Sequence, residues 1–310
     1  MMPDRPRYEV IIIGAGPAGL TAGLYVSRAR LHCLLVERGL FGGQIANAER
    51  IENYPGFPEG IDGLELGQLM LAQATRYGLK TVTAEATGIE LQGGQRVVKT
   101  TEGDFEAGAV IIAGGSQRQK LGVFGEEEFT GKGVSYCATC DAAFFRDQSI
   151  AVVGGGDAAI SEALHLVRFA SKVTVIHRRR ALRATRILQE RVFAESKIQF
   201  LWNTAVEVIE GEQFVRKLRL KQLKTGEKSA LEVAGVFVSI GVKPDTGYLR
   251  GILPLDNVGH IITNENMETT VSGILAVGDI RHNSARQVIT AAGDGATAAI
   301  NVERFLTESE

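Results

Sequence analysis

The chain has 310 residues, 45% of them hydrophobic, and a formal net charge of −2. That length allows two domains, each with its own core, and the near-neutral charge argues against a nucleic-acid partner. No apolar run approaches the roughly 18 residues of a membrane span, and Met1–Arg7 lacks the apolar centre of a signal peptide, so a cytoplasmic protein with no membrane partner is expected.

The first predicted strand is the β-branched run Val10-Ile11-Ile12-Ile13. It ends in Gly14, Gly16 and Gly19, with Pro17 and Ala18 opening a helix between the last two glycines. In this pattern the first glycine makes the tight turn, the second lets a pyrophosphate approach the backbone, and the third packs helix on strand. Twenty-three residues after Gly14, the run Leu34-Leu35-Val36 closes on Glu37, a carboxylate suited to accept from the ribose hydroxyls of FAD or NAD. The segments Val97 to Thr101 and Ala109 to Ala113 then read as strands returning to the same sheet, the second ending in Gly114-Gly115-Ser116.

Cys137-Ala138-Thr139-Cys140 follows, and after it a second fingerprint. Ile150-Ala151-Val152-Val153 leads into Gly154, Gly156 and Ala159, with Asp157 and Ala158 at the predicted helix start. Val173-Thr174-Val175-Ile176 closes on His177, again twenty-three residues after the first glycine, and Arg178, Arg179, Arg180 and Arg183 come next. A carboxylate here would repel a 2′-phosphate, whereas guanidinium forks bind one with paired, charge-assisted hydrogen bonds. The second site therefore reads as one for NADP. The run Val236 to Ile240 ends in Gly241, Ile274 to Val277 ends in Gly278-Asp279, and a helix-like stretch covers Gln287 to Phe305.

Two cysteines at this spacing can close a disulfide or supply half of a zinc site. The only other cysteine is Cys33, inside a predicted strand, and none of the five histidines is spaced to complete a ligand set, so no metal is expected. Asp141 stands next to Cys140, either as a proton donor to a leaving thiolate or as a helix cap. Two nucleotide sites and a dithiol on one chain point to electron transfer. The breaker-rich crossings near 117 and 245 suggest that the second nucleotide domain is inserted into the first. The expected fold is α/β with two Rossmann-like domains, residues 1–117 with 246–310 binding FAD and residues 118–245 binding NADPH and carrying the cysteines.

In order along the chain, these motifs resemble those of the low-molecular-weight, bacterial-type thioredoxin reductases. The similarity runs through Gly14 to Gly19, Gly42-Gly43-Gln44, Glu52-Asn53-Tyr54-Pro55-Gly56, Cys137 to Asp141, Gly154 to Ala159, His177-Arg178-Arg179, Gly278-Asp279 and Arg286-Gln287. The resemblance implies a homodimer in which Gly43, Gln44, Asn53, Gly278, Asp279, Arg286 and Gln287 join the first fingerprint around FAD. It implies that Arg178, Arg179 and Arg183 contact the 2′-phosphate, with His177 in the same cluster. The implied enzyme is an NADPH-dependent thioredoxin-disulfide reductase: hydride passes to FAD, then electrons to a Cys137–Cys140 disulfide with Asp141 as acid, then to thioredoxin by dithiol exchange. It also implies that the insert rotates on crossings near Gly114–Gly122 and Gly241–Gly247. Three alternatives remain open from the sequence: another dithiol protein as partner, ferredoxin or another donor in place of NADPH, and a non-catalytic flavoprotein sensor. The departure Ile160-Ser161-Glu162, where many relatives are more acidic, leaves this reading intact.

Overall fold

Continuous apolar strands alternate with helices, a pattern that requires parallel sheets covered on both faces. The computed structural model describes residues 5–92 and 94–308. Residues 1–4, part of the leading segment read above against a signal peptide, lie outside the described residues, as do 93, 309 and 310. The chain divides into two compact units, one running to Gln117 and resuming at Lys243, the other Arg118–Val242. Lys243 to Asp245, read from the sequence as the end of the insert, go with the larger unit. Within that unit Asp245 pairs with Arg38 at 2.9 Å.

In the larger unit the sheet order is Lys80–Thr83, Cys33–Glu37, Arg7–Ile13, Gly103–Ile112, Gln95–Thr100, Ala86–Gln92, with Ile274–Ala276 also pairing Gly103–Ile112. The strands around Arg7–Ile13 are parallel, with Ile11 in register with Leu34 and Val110. Alternate residues serve two cores. Ile12, Leu35 and Ile111 pack with the helices Pro17–Arg28 and Val288–Glu308, whereas Ile11, Leu34 and Val110 pack with Leu249, Leu253 and Ile280. Burial on both faces explains why these strands carry no polar alternation. Pro at the first helical position, where its missing N–H costs nothing, starts the helix Pro17–Arg28 at once after the turn.

The inserted unit repeats the plan. Its parallel sheet runs Ile198–Trp202, Lys172–His177, Ser149–Gly154, Gly235–Ser239, Val134–Ser135. One face packs on the helix Asp157–Leu166 through Ile150, Val152, Ile160 and Leu166. The other face packs Ala151, Val153 and Val236 against Leu218 and Leu220 of an antiparallel sheet, Thr204–Gly211, Val215–Gln222 and Lys228–Glu232. In each unit the strand before the fingerprint has its successor on one side and a later strand on the other. That topological switch point opens a crevice beyond the strand's carboxyl end, where such sheets hold ligands.

Candidate functional site

The three glycines of the first turn differ in their surroundings. At Gly14 (φ +105°) a Cβ would lie 2.4 Å from Ala113 O, and at Gly19 one would lie 1.8 Å from Gly14 O, so neither position admits a side chain. At Gly16 a Cβ would meet nothing within 4 Å. The chain therefore leaves open space at the glycine that caps the helix, and no side chain caps that helix start. An uncapped helix N-terminus beside an open glycine is a phosphate cradle. Pro17 and Ala18 form its first turn.

Glu37 ends the second strand with both carboxylate oxygens engaged. Its Oε2 accepts from Ala15 N–H at 2.6 Å and its Oε1 from Gly39 N–H at 2.8 Å. A small pocket beside it is lined by Gly14, Glu37, Arg38, Glu85 and Tyr248. Gly43 abuts the turn, since a Cβ there would come within 3.0 Å of Gly16 Cα. Gln44 Nε2 donates to Ser116 O at 2.5 Å, and Ser116 Oγ lies 3.4 Å from Asp279 O. Asn53 Nδ2 donates to Gln287 Oε1 at 2.9 Å, across 234 residues of sequence. Gln44, Asn53, Asp279 and Gln287 are thus tied pairwise within this unit.

Gly278, at φ +73°, donates its N–H to Asp294 Oδ2 at 3.0 Å, and Arg281 grips the same carboxylate at 2.6 and 2.9 Å. This bidentate clamp fixes the turn that carries Asp279. Burial raises the Asp279 carboxyl against the opposing pull of Ser284 and Arg286. Arg286 adopts φ +57°, and its Nη2 lies 3.4 Å from His260 Nε2. Arginine has only donors, so Nε2 is the acceptor and His260 carries its proton on Nδ1, 3.2 Å from Asp256 Oδ2. His282 Nδ1 meets the same oxygen at 2.7 Å. Burial would raise the Asp256 carboxyl, but bonds from His282 and from the backbone of His260 and Val258 hold it well below the usual range.

The second turn mirrors the first. A Cβ at Gly154 would lie 2.2 Å from Ser239 O and 2.6 Å from the Ala159 methyl, whereas at Gly156 it would meet nothing within 4 Å. Again no side chain caps the helix start. Asp157, its first residue, accepts from Thr185 N–H at 2.7 Å, and Arg183 N–H donates to Gly155 O at 2.7 Å. The segment after His177 is therefore folded back onto the fingerprint, with Arg178, Arg179 and Arg183 exposed, as Ala158 is. His177 is buried, its Nε2 3.1 Å from Ala181 O, and a Cβ on Gly155 would strike its ring at 2.5 Å. Burial, and then the neighbouring arginines, lower its pKa against the hydrogen bond that its ring donates to Ala181 O. A neutral His177 braces the arginine segment from below.

Cys137 and Cys140 form a disulfide, Cys137 half-buried and Cys140 exposed. Cys137 caps the short helix Ala138–Asp141, its Sγ 3.2 Å from Cys140 N. Asp141 ends that helix and stands at the N-cap position of the following 3₁₀ turn, Ala142–Phe145, without a side-chain cap hydrogen bond. Its Oδ2 accepts from Ser135 Oγ at 2.6 Å. Both residues line a groove of about 650 Å³ with Phe144, Phe145 and Phe214. Phe144 and Phe214 are exposed. Cys33 is buried in its strand, and burial raises its thiol. Among the described residues no group of three or more His, Cys, Asp or Glu side chains is placed to hold a metal ion.

Sequence reasoning missed Ser135, Asp294, and the Asp256, His260 and His282 group. Only Ser135, two residues before Cys137, had a positional signal.

The family described as pyridine nucleotide-disulphide oxidoreductase matches residues 8–295. A thioredoxin reductase of Bacillus subtilis strain 168 is 47% identical over 308 residues, covering 99% of this chain and 97% of its own. One from Mycolicibacterium smegmatis is 46% identical over the whole of both chains. The crystal structure of Lactococcus lactis thioredoxin reductase superposes with a TM-score of 0.95 at 44% identity, covering 97% of this chain and 99% of the other.

Proposed function

The chain belongs to the thioredoxin reductases of the pyridine nucleotide-disulphide oxidoreductase family, and from that premise we propose that it passes electrons from NADPH through FAD to the disulfide of thioredoxin or a thioredoxin-like dithiol protein. The observation that carries the reading is the Cys137–Cys140 disulfide, with Cys140 exposed, on the same unit as an open glycine turn edged by three exposed arginines.

Both nucleotides fit the residues present. Gly16 and Gly156 are the two fingerprint glycines whose Cβ positions are empty, each at an uncapped helix start that suits a pyrophosphate. When bound, NADPH supplies a hydride and FAD converts that two-electron delivery into one a disulfide can accept. Gly14, Gly16, Pro17, Ala18, Gly19 and Glu37 hold the adenosine diphosphate half of FAD, while Gly43, Gln44, Asn53, Gly278, Asp279, Arg286 and Gln287 surround the rest. Gly154, Gly156, Asp157 and Ala158 receive the second pyrophosphate. Arg178, Arg179 and Arg183, braced by His177, bind the 2′-phosphate, which selects NADPH over NADH.

Two electrons at the Cys137–Cys140 bond cleave it to a pair of sulfurs that need one proton to become thiol and thiolate. Asp141 supplies that proton. The thiolate attacks the partner's disulfide, forms a mixed disulfide, and the second cysteine displaces it, reforming Cys137–Cys140 and releasing a reduced partner. The reading places the protein in the cytoplasm, because a dithiol reductase works where thiols are kept reduced, and takes the homodimer from the family resemblance. Among the described residues no helix is long and apolar enough to cross a membrane.

Anaerobic titration of the flavin-loaded protein tests the donor. Stoichiometric NADPH should bleach the flavin band while the same amount of NADH leaves most of it. Equal bleaching by both would remove the arginine argument, and no bleaching by either would point to a different donor.

A further inference from the structure

We propose that Ser135 is a positioning residue for the thiol–disulfide step, acting through Asp141. The proposal rests on the reading of Asp141 as the proton donor. Ser135 is 4% exposed and sits in the edge strand Val134–Ser135, held in register by Val236 and Phe237. Three polar atoms surround its hydroxyl: Cys137 N at 3.1 Å, Cys137 O at 3.3 Å and Asp141 Oδ2 at 2.6 Å. Cys137 N–H can only donate, so the serine oxygen accepts there. The single hydroxyl hydrogen then has two candidate acceptors, and the shorter contact, to Asp141 Oδ2, is the bond formed.

One hydroxyl thus joins the first cysteine of the redox pair to the acid that ends the same helical turn. Asp141 N–H donates to Cys137 O at 3.2 Å, so the backbone holds the two ends of this turn and Ser135 holds the carboxylate. Asp141 lines an open groove, where an aspartate without such a bond would distribute over several rotamers. Proton transfer requires the carboxyl within hydrogen-bond reach of the sulfur it serves. With Oδ2 held by Ser135, Oδ1 carries the exchanged proton. When the disulfide opens, the O–H bond on Oδ1 breaks and an S–H bond forms. The carboxylate left behind keeps its hydrogen bond from Ser135, which stabilises the charge just created.

The test uses holoenzyme carrying Ser135→Ala, Asp141→Asn, or both, with NADPH saturating and oxidised thioredoxin varied. A positioned general acid contributes about 100-fold or more, and losing its alignment about 10-fold. Ser135→Ala should therefore lower kcat roughly 10-fold with KM for thioredoxin and flavin reduction by NADPH unchanged, and the double variant should be no slower than Asp141→Asn alone. An Asp141→Asn enzyme that is slow while Ser135→Ala runs at the wild-type rate would overturn the proposal and leave the acid reading standing. So would a double variant slowed by both factors multiplied, because Ser135 would then act independently of Asp141. Wild-type turnover in Asp141→Asn would overturn the acid reading and the proposal together.

Discussion

Ala15 N–H donates to Glu37 Oε2 at 2.6 Å, which fastens the end of the second strand to the middle of the first glycine turn. The carboxylate is therefore oriented before any nucleotide arrives, with Gly39 N–H on its other oxygen at 2.8 Å. Replacing Glu37 with Ala removes the ribose acceptor and leaves two backbone donors without their charged partner. At about 1.5–3 kcal/mol for a hydrogen bond to a charged group, FAD affinity should fall at least tenfold. Fluorescence titration of the apoprotein with FAD measures this, and an unchanged dissociation constant would exclude Glu37 from the site.

The arginine segment makes a separate prediction about donor choice. Arg178, Arg179 and Arg183 are exposed on a segment pinned by Arg183 N–H to Gly155 O and by Thr185 N–H to Asp157. Replacing Arg178 and Arg179 with Ala should raise KM for NADPH tenfold or more, from about 1.5–3 kcal/mol per lost contact, and barely move KM for NADH. Steady-state kinetics with the two donors decides it. Equal losses for both would mean that these side chains support the loop and not the 2′-phosphate.

Asp256 gives a pH dependence with a definite sign. Its carboxyl is held below the ordinary value near 3.9, so the stability it contributes is complete above about pH 4 and is lost as acid protonates it. At pH 7, Asp256→Asn should cost about 1–3 kcal/mol, because His260, His282 and two backbone N–H groups lose a charged acceptor. The gap from wild type should narrow as the pH falls from 4 toward 2. Denaturant unfolding across that range checks the trend, and a gap that widens in acid would contradict it.

What the sequence disclosed and what it hid separate along physical lines. Gly14, Gly16 and Gly19 are legible because one turn needs all three within six residues, and the apolar strands because burial on both faces leaves no polar alternation. The same holds for Cys137 and Cys140, whose spacing is their chemistry. The clamp of Arg281 on Asp294 and the triple contact of Asp256, His260 and His282 have no such signature. Arg281 and Asp294 are 13 residues apart and His282 lies 26 residues beyond Asp256, so these side chains meet only after the chain has folded. The antiparallel sheet from Thr204 to Glu232 escaped for a related reason. Val215–Gln222 buries Val215, Leu218 and Leu220 among charged residues, with neither strict alternation nor a continuous apolar run.

Electrons leave through the Cys137–Cys140 pair, and a comparison of half-reactions in Cys137→Ser and Cys140→Ser measures that route. Either change abolishes the internal disulfide and leaves both glycine turns and the arginine segment intact. Flavin reduction by NADPH, followed by absorbance under anaerobic conditions, should persist in both variants, while reduction of thioredoxin disappears in both. Turnover with thioredoxin in either variant at the wild-type rate would show that electrons leave by another path and that this cysteine pair is not the exit.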